Sequence, residues 1–290
     1  MLIEIIDVSI SGLLNGSVYA LMAIGLALVY GVTKAFNFAY GSFYNMGGYF
    51  AWVLLISLGM KGGYYTVFFT AVPFLFIVGF ILEKALVSPL RKRADWEMKV
   101  MMLTLGLGLF LDIGYIVVFG PRLKSLPEIV EGTTSIGELV FLNQDIVIFI
   151  ISITGLLCFA WILNNTRVGM AVQAVAQNPA GAQIVGIPKD FIFAATFAIS
   201  TVMVGLGGIL LCQKNFVIPQ ASWPIMIKAW VITAFGGMGS IRGSLYAAFI
   251  IGMLEAFVGY TLGLIYIDIA ILTLLLITLA LRPQGLMGKE

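Results

Sequence analysis

The chain has 290 residues, of which 61% are hydrophobic and 10% charged, with a formal charge of +2 and no histidine. Soluble domains carry about 25% charged residues, so this supply cannot clothe a water-exposed surface, and the mean hydropathy is +1.06. A helical span takes roughly 20 mainly apolar residues, which leaves room for at most about a dozen; β-barrel strands alternate polar and apolar positions, whereas this chain runs in solid apolar blocks.

In chain order, the first ten residues are acidic and lack the basic n-region and cleavage pattern of a signal peptide, so the chain from Val8 reads as a retained first span. The apolar blocks are Val8 to Val32, Phe43 to Leu58, Tyr64 to Leu86, Met101 to Phe119 and Ile146 to Leu163. They continue with Phe191 to Leu211, Ile225 to Phe235, Leu245 to Leu262 and Leu264 to Leu281. The seventh is too short to span alone and runs into Gly236-Gly237-Met238-Gly239-Ser240, where a regular helix is disfavoured. The expected fold is an all-α polytopic membrane protein, one transmembrane domain over residues 1–290. It has about eight transmembrane helices plus one short broken or re-entrant element.

Orientation follows lysine and arginine in short loops. Arg91, Lys92, Arg93 and Lys99 place the loop after the third block in the cytoplasm. Alternation then puts Lys34 inside, with the 164–190 loop that carries Arg167 and Lys189. The 120–143 segment falls outside, with Arg122 and Lys124 set against Glu128, Glu131 and Glu138. If the short element crosses, the tail with Arg282 and Lys289 is cytoplasmic and the N-terminus outside; if it re-enters, the last two spans invert. Each of these two long loops has the length for a short surface element. Within 164–190, Met170 to Gln177 makes about two helical turns stopped by Pro179, read either as a docking element or as a tidy loop. A faint internal echo relates Gly16, Ser17, Tyr19 and Ala20 to Gly243, Ser244, Tyr246 and Ala247, and transporters are often built from repeats.

Much chemistry is excluded. Without histidine the usual general base and metal ligand are missing, and the chain has no GxxxxGK[ST] phosphate loop for ATP hydrolysis. Cys158 and Cys212 lie in apolar runs and read as small buried hydrophobes. The small, dispersed charge implies no nucleic-acid partner. Ionisable residues within spans are functional candidates by default: Asp112, Glu255 and Asp268 qualify. Asp268 lies near a helix end, within reach of water. For Glu255 a packing hydrogen bond and a transport role stand open; Asp112 fits a transport role or an outward-facing polar cavity. Uncharged polar residues cluster at Asn15, Ser17 and Tyr19, and at Asn37, Tyr40, Ser42 and Asn45. A polar break between spans exposes amides and half-helix ends suited to a zwitterion. Thr104 with Gly106 and Gly108 adds a small-residue face, and small residues equally serve close helix packing.

In order along the chain, these motifs resemble a known family. Asn15-Gly16-Ser17 with Tyr19, Ala20, Gly25, Tyr30 and Gly31, then Asn37-Phe38-Ala39 with Gly41, Gly47 and Tyr49, match its first conserved segments. Thr104, Gly106, Phe119-Gly120-Pro121, Thr166-Arg167 with Gly169, and Ala174-Val175-Ala176-Gln177-Asn178-Pro179 with Gly186-Ile187 follow. Gly236 to Ser240 with Gly243 and Glu255, and the tail Leu281-Arg282-Pro283-Gln284-Gly285-Leu286, complete the likeness. The sequence resembles the H-type permease of branched-chain amino acid ABC importers over nearly its whole length. It departs from that pattern at Tyr40, Ser42, Asn45 and Asp112.

The resemblance implies a permease subunit, not an enzyme, in a bacterial or archaeal cytoplasmic (inner) membrane. Its partners would be a second homologous permease, two cytoplasmic ATP-binding subunits, an extracytoplasmic solute-binding protein and membrane lipid. This chain would hold no cofactor, ATP and Mg being bound by the ATPases. Arg167, Gly169 and the run Ala174, Val175, Ala176, Gln177, Asn178 and Pro179 become the expected ATPase contact, within a cytoplasmic coupling loop over 164–190. The expected translocation path comprises Asn15, Tyr19, Asn37, Tyr40, Ser42, Asn45, Thr104, Asp112, Gly236, Gly237, Gly239, Ser240 and Glu255. Hydrophobic amino acids are the expected solutes; urea, short amides or small carboxylates are the family alternative. A stand-alone ion-coupled carrier using Asp112 and Glu255 is the rival class.

Overall fold

The computed structural model describes residues 2–59, 63–136 and 139–288; Glu138 and Lys289 lie outside them. In chain order the helices are α1 (Leu2–Thr33), α2 (Tyr40–Trp52), α3 (Gly63–Leu82), α4 (Trp96–Phe119), α5 (Asn143–Asn165) and α6 (Arg167–Gln177). They continue as α7 (Pro179–Ile184), α8 (Lys189–Lys214), α9 (Ser222–Gly236), α10 (Ile241–Thr261) and α11 (Ile267–Leu281). A two-stranded antiparallel hairpin, β1 (Thr133–Ile136) and β2 (Leu139–Leu142), pairs Thr133 with Leu142. It supplies the surface element expected between Gly120 and Asn143.

Among the described residues, seven helices are long and apolar enough to cross a membrane: α1, α3, α4, α5, α8, α10 and α11 with their short flanking turns. The second block, the remaining candidate for the expected eighth, is helical without a break from Tyr40 to Ser57, and its polar, glycine-rich first half sets it apart from the seven. It begins in a polar stretch as α2 and runs out through a π-helical turn at Val53–Ser57. The short element before the glycine cluster is present as the 15-residue α9. Over their most apolar windows, α8 is 89% buried but α4 only 11% and α11 only 6%, so the last two turn apolar side chains outward, as lipid permits. Cys158 shows the same effect. Expected to be buried, it is exposed on α5, while Cys212 on α8 is buried and its Sγ donates to the Tyr44 hydroxyl at 3.5 Å. An apolar run in a span is compatible with facing lipid as well as protein.

The chain divides into two compact units. One comprises Met1–Ala27, Glu128–Leu156 and Lys228–Glu290. Here α1 and α10 meet through glycine: an ideal Cβ on Gly252 would lie 2.7 Å from Gly16 Cα, and one on Gly16 would lie 3.1 Å from Phe249 Cα. The first echoing segment therefore packs against residues just beyond the second. Between α9 and α10, Gly237 and Gly239 take positive φ of 107° and 81°, conformations that glycine alone adopts freely. Ser240 Oγ then caps α10 by accepting from Gly243 N at 3.1 Å. The tail returns to this break, where Leu286 N donates to Phe235 O at 2.9 Å and Met287 N to Gly236 O at 3.0 Å. These bonds satisfy carbonyls that a helix end leaves free.

The other unit comprises Leu28–Pro127 and Leu157–Ile227. Its centre is α2 laid against α8, where a Cβ on Gly47 would collide with the Gly205 carbonyl and one on Gly208 with the Tyr44 carbonyl. The π-helical turn Glu83–Val87 follows α3, and there the fully buried Glu83 meets Arg91 at 2.5 Å. The Arg91 guanidinium also lies 4.1 Å from the centroid of the Phe193 ring. Arg91, expected as a loop charge that sets orientation, is thus matched inside the protein; Lys92 and Arg93 remain exposed.

Candidate functional site

Two polar clusters stand among apolar helices, each within one unit. In the first, Asp112 on α4 accepts a hydrogen bond at Oδ1 from Ser222 Oγ, the first residue of α9, at 2.6 Å. Asn45 Nδ2 on α2 donates to Ser222 Oγ at 2.7 Å and to Pro219 O at 2.8 Å. Ser42 Oγ donates to Gly108 O at 3.1 Å, and the Tyr115 hydroxyl donates to Ser42 O at 3.0 Å. Gly41 permits this meeting, because a Cβ there would strike the Ser222 carbonyl. A small cavity opens beside the cluster, lined by Ser42, Gly108, Asp112, Ser222 and apolar neighbours.

In the second, Lys228 on α9 donates to both carboxylate oxygens of Glu255 on α10 at 3.0 Å and to the Tyr19 hydroxyl at 3.1 Å. Its Nζ lies 4.8 Å from the centroid of the Tyr19 ring. Lys228 and Glu255 side chains are only 16% and 17% exposed, so each charge depends on the other, as intramembrane charges do.

Of the residues expected along the path, Ser42, Asn45 and Asp112 therefore come together, and separately Tyr19 and Glu255. Thr104 and Asn37 hold the connection from α1 to α2: Thr104 Oγ1 accepts from Phe38 N at 3.1 Å, and Asn37 Oδ1 accepts from Ala39 N at 3.0 Å. Tyr40 is fully buried and Asn15 half-buried. Gly236, Gly237, Gly239 and Ser240 form the turn met by the tail. Sequence reading missed Ser222, Tyr115 and Lys228. A lysine inside the Ile225 to Phe235 block was a usable signal for Lys228, since a buried ammonium requires a partner.

The stretch expected to dock an ATPase is two short helices. Thr166 Oγ1 accepts from Gly169 N at 3.0 Å to begin α6, and Asn178 Oδ1 accepts from Gly181 N at 2.9 Å to begin α7 at Pro179. Such side-chain caps satisfy the first free amides of a helix. Gly169, Val172 and Val175 are buried, whereas Arg167, Gln177, Asn178 and Pro179 are exposed and Ala174 and Ala176 lie between. Ile184 and Val185 extend the exposed side at 87% and 75% accessibility.

Spanning helices that carry paired and hydrogen-bonded polar groups within them make this a multi-pass membrane protein. Residues 9–280 match the family described as the permease component of branched-chain amino acid transport systems, and the chain belongs to that family. It is 30% identical to the high-affinity branched-chain amino acid transport system permease protein LivH of Escherichia coli, over 96% of this chain and 94% of that one. It is 28% identical to the corresponding protein BraD of Pseudomonas aeruginosa, over 97% and 94%. A probable branched-chain amino acid transport permease protein LivH of Methanocaldococcus jannaschii is also 28% identical, over 96% and 91%.

Proposed function

We propose that this chain is a transmembrane permease subunit of an ATP-driven importer for branched-chain or other hydrophobic amino acids. The observation that carries the reading is the similarity along nearly the full length to permease components of such systems. The chain would pair with a second permease and take its energy from two cytoplasmic ATPases, which bind ATP and Mg. A binding protein on the other face would deliver the solute. The α6–α7 segment is the docking element for the ATPases, with Arg167, Gln177, Asn178 and Pro179 at its surface and the expected contact Val175 buried beneath it. Polar residues of the two clusters, Ser42, Asn45, Asp112, Tyr19 and Glu255, belong to the proposed path. The pairing of Glu255 with Lys228 weighs against a carrier that uses Glu255 as a free ion site.

Reconstitution in liposomes tests this directly. The chain with its second permease, ATPases and binding protein should accumulate leucine only with ATP and the binding protein present. Leucine flux from the lone chain under an ion gradient overturns the importer assignment, and accumulation of urea or acetate in place of leucine moves the solute class.

A further inference from the structure

Asp112 differs from Glu83 and Glu255, two other carboxylates embedded in this chain. Glu83 has Arg91 and Glu255 has Lys228, but no cation pairs with Asp112 among the described residues, and none lines its cavity. An intramembrane carboxylate without a fixed counter-charge is costly, and its hydroxyl neighbours do not supply that charge. The Ser222 proton is directed to Asp112 at 2.6 Å or to Pro219 O at 3.2 Å, and the Ser42 proton to Gly108 O at 3.1 Å or to Asp112. What these groups offer a visitor is therefore lone pairs and negative charge.

The space has the size of a head group alone, and the aliphatic body would lie across its open side, where Leu109 and Trp223 are exposed. About 10 Å³ is open to a water-sized molecule, close to the least that one water needs, and an ammonium head is of similar dimensions. The remaining wall is apolar, with Leu105, Leu109, Trp223 and Met226 beside the polar groups. That is a poor cage for an alkali ion, which prefers oxygen on every side, and a good one for a cation carried on an aliphatic body.

We propose that the Asp112 cavity is a subsite for the ammonium group of a primary amine with an aliphatic side chain, the carboxylate with Ser42 and Ser222 facing the head and the apolar wall facing the chain. This rests on the amino acid reading for the identity of the travelling solute, and it disfavours solutes that carry only a carboxylate.

Trp223, in the cavity wall, supplies a probe. The purified permease–ATPase assembly is titrated with 3-methylbutylamine, leucine, 4-methylpentanoate and sodium chloride while tryptophan fluorescence is followed, with Trp223→Phe identifying the signal. The amine and leucine should give a saturable change and the carboxylate none. Asp112→Asn should weaken the amine roughly ten- to a hundredfold, the range for a lost charged hydrogen bond, with Asp112→Glu restoring part of it. Should Asp112→Asn fail to assemble, Ser222→Ala carries the test with a roughly two- to tenfold loss. Equal response to 4-methylpentanoate, saturation by sodium alone, no response, or unchanged affinity in the variants each overturns the subsite. ATP-driven leucine uptake by the same preparation separates the two ideas. Uptake without an Asp112-dependent amine site sinks only the subsite, and an amine site without uptake sinks only the importer reading.

Discussion

Lys228 sits in an otherwise apolar run of α9, and its surroundings explain how a cation is tolerated there. Both oxygens of Glu255 and the Tyr19 hydroxyl receive its three protons, all within 3.1 Å. Breaking such a pair by removing one partner costs about 3–5 kcal/mol, because the other charge stays stranded in a low dielectric. Lys228→Met should therefore lower the melting temperature of the purified assembly strongly, whereas Lys228→Met with Glu255→Met should recover most of the loss. A double variant as unstable as the single one would show that the charges matter for more than each other. The sequence made Glu255 conspicuous but left it without a partner, since the partner lies 27 positions away on another helix. Asp112, Ser42 and Asn45 were legible as polar residues in apolar surroundings. Ser222 was not, because a serine at the start of a helix has an ordinary explanation as a cap.

At the level of elements, small residues decide which helices can lie against each other. Gly208 on α8 faces the Tyr44 carbonyl so closely that even a methyl group collides with backbone, while a Cβ on Gly106 of α4 meets nothing within 4 Å. Overpacking of a well-filled contact costs about 1–3 kcal/mol, and backbone cannot yield as a side chain does. Gly208→Ala should thus lower thermal stability in detergent by several degrees, with Gly106→Ala neutral in the same melt. The sequence grouped Gly106 with Gly108 as one small-residue face, a distinction it had no means to draw. Their neighbours differ because only Gly108 approaches the α1–α2 connection, where a Cβ on it would lie 3.3 Å from Ala39 Cα. The long, apolar helices were readable from composition alone. The π-helical turn that ends the second block, Val53–Ser57, was not, because an apolar block says nothing about which hydrogen-bond pattern the helix takes.

For the whole molecule, the proposed docking segment offers a surface to the proposed ATPases. Ile184 and Val185 stand out at 87% and 75% accessibility, just beyond the exposed polar residues Gln177 and Asn178. Joint replacement, Ile184→Asp with Val185→Asp, should leave expression and melting unchanged but reduce co-purification of the ATPase and ATP-driven uptake at least about tenfold, the effect of losing about 1.4 kcal/mol of association. Undiminished co-purification would remove α7 from the interface. Val175→Asp, by contrast, places a charge at a fully buried position and should simply fail to accumulate. The motif between Arg167 and Pro179 pointed to this segment, yet the two apolar residues beyond it carry no pattern of their own and emerge only from their exposure.

The final turn of α9 depends on chain made much later. Its carbonyls at Phe235 and Gly236 are met by amides of Leu286 and Met287, about fifty positions downstream. Synthesis proceeds from the N-terminus, so α10 and α11 are made before the segment that closes this turn. Completion of the α9–α10 junction is therefore among the last events of biogenesis. A nascent chain halted after α11 would hold all its long helices with that junction still open.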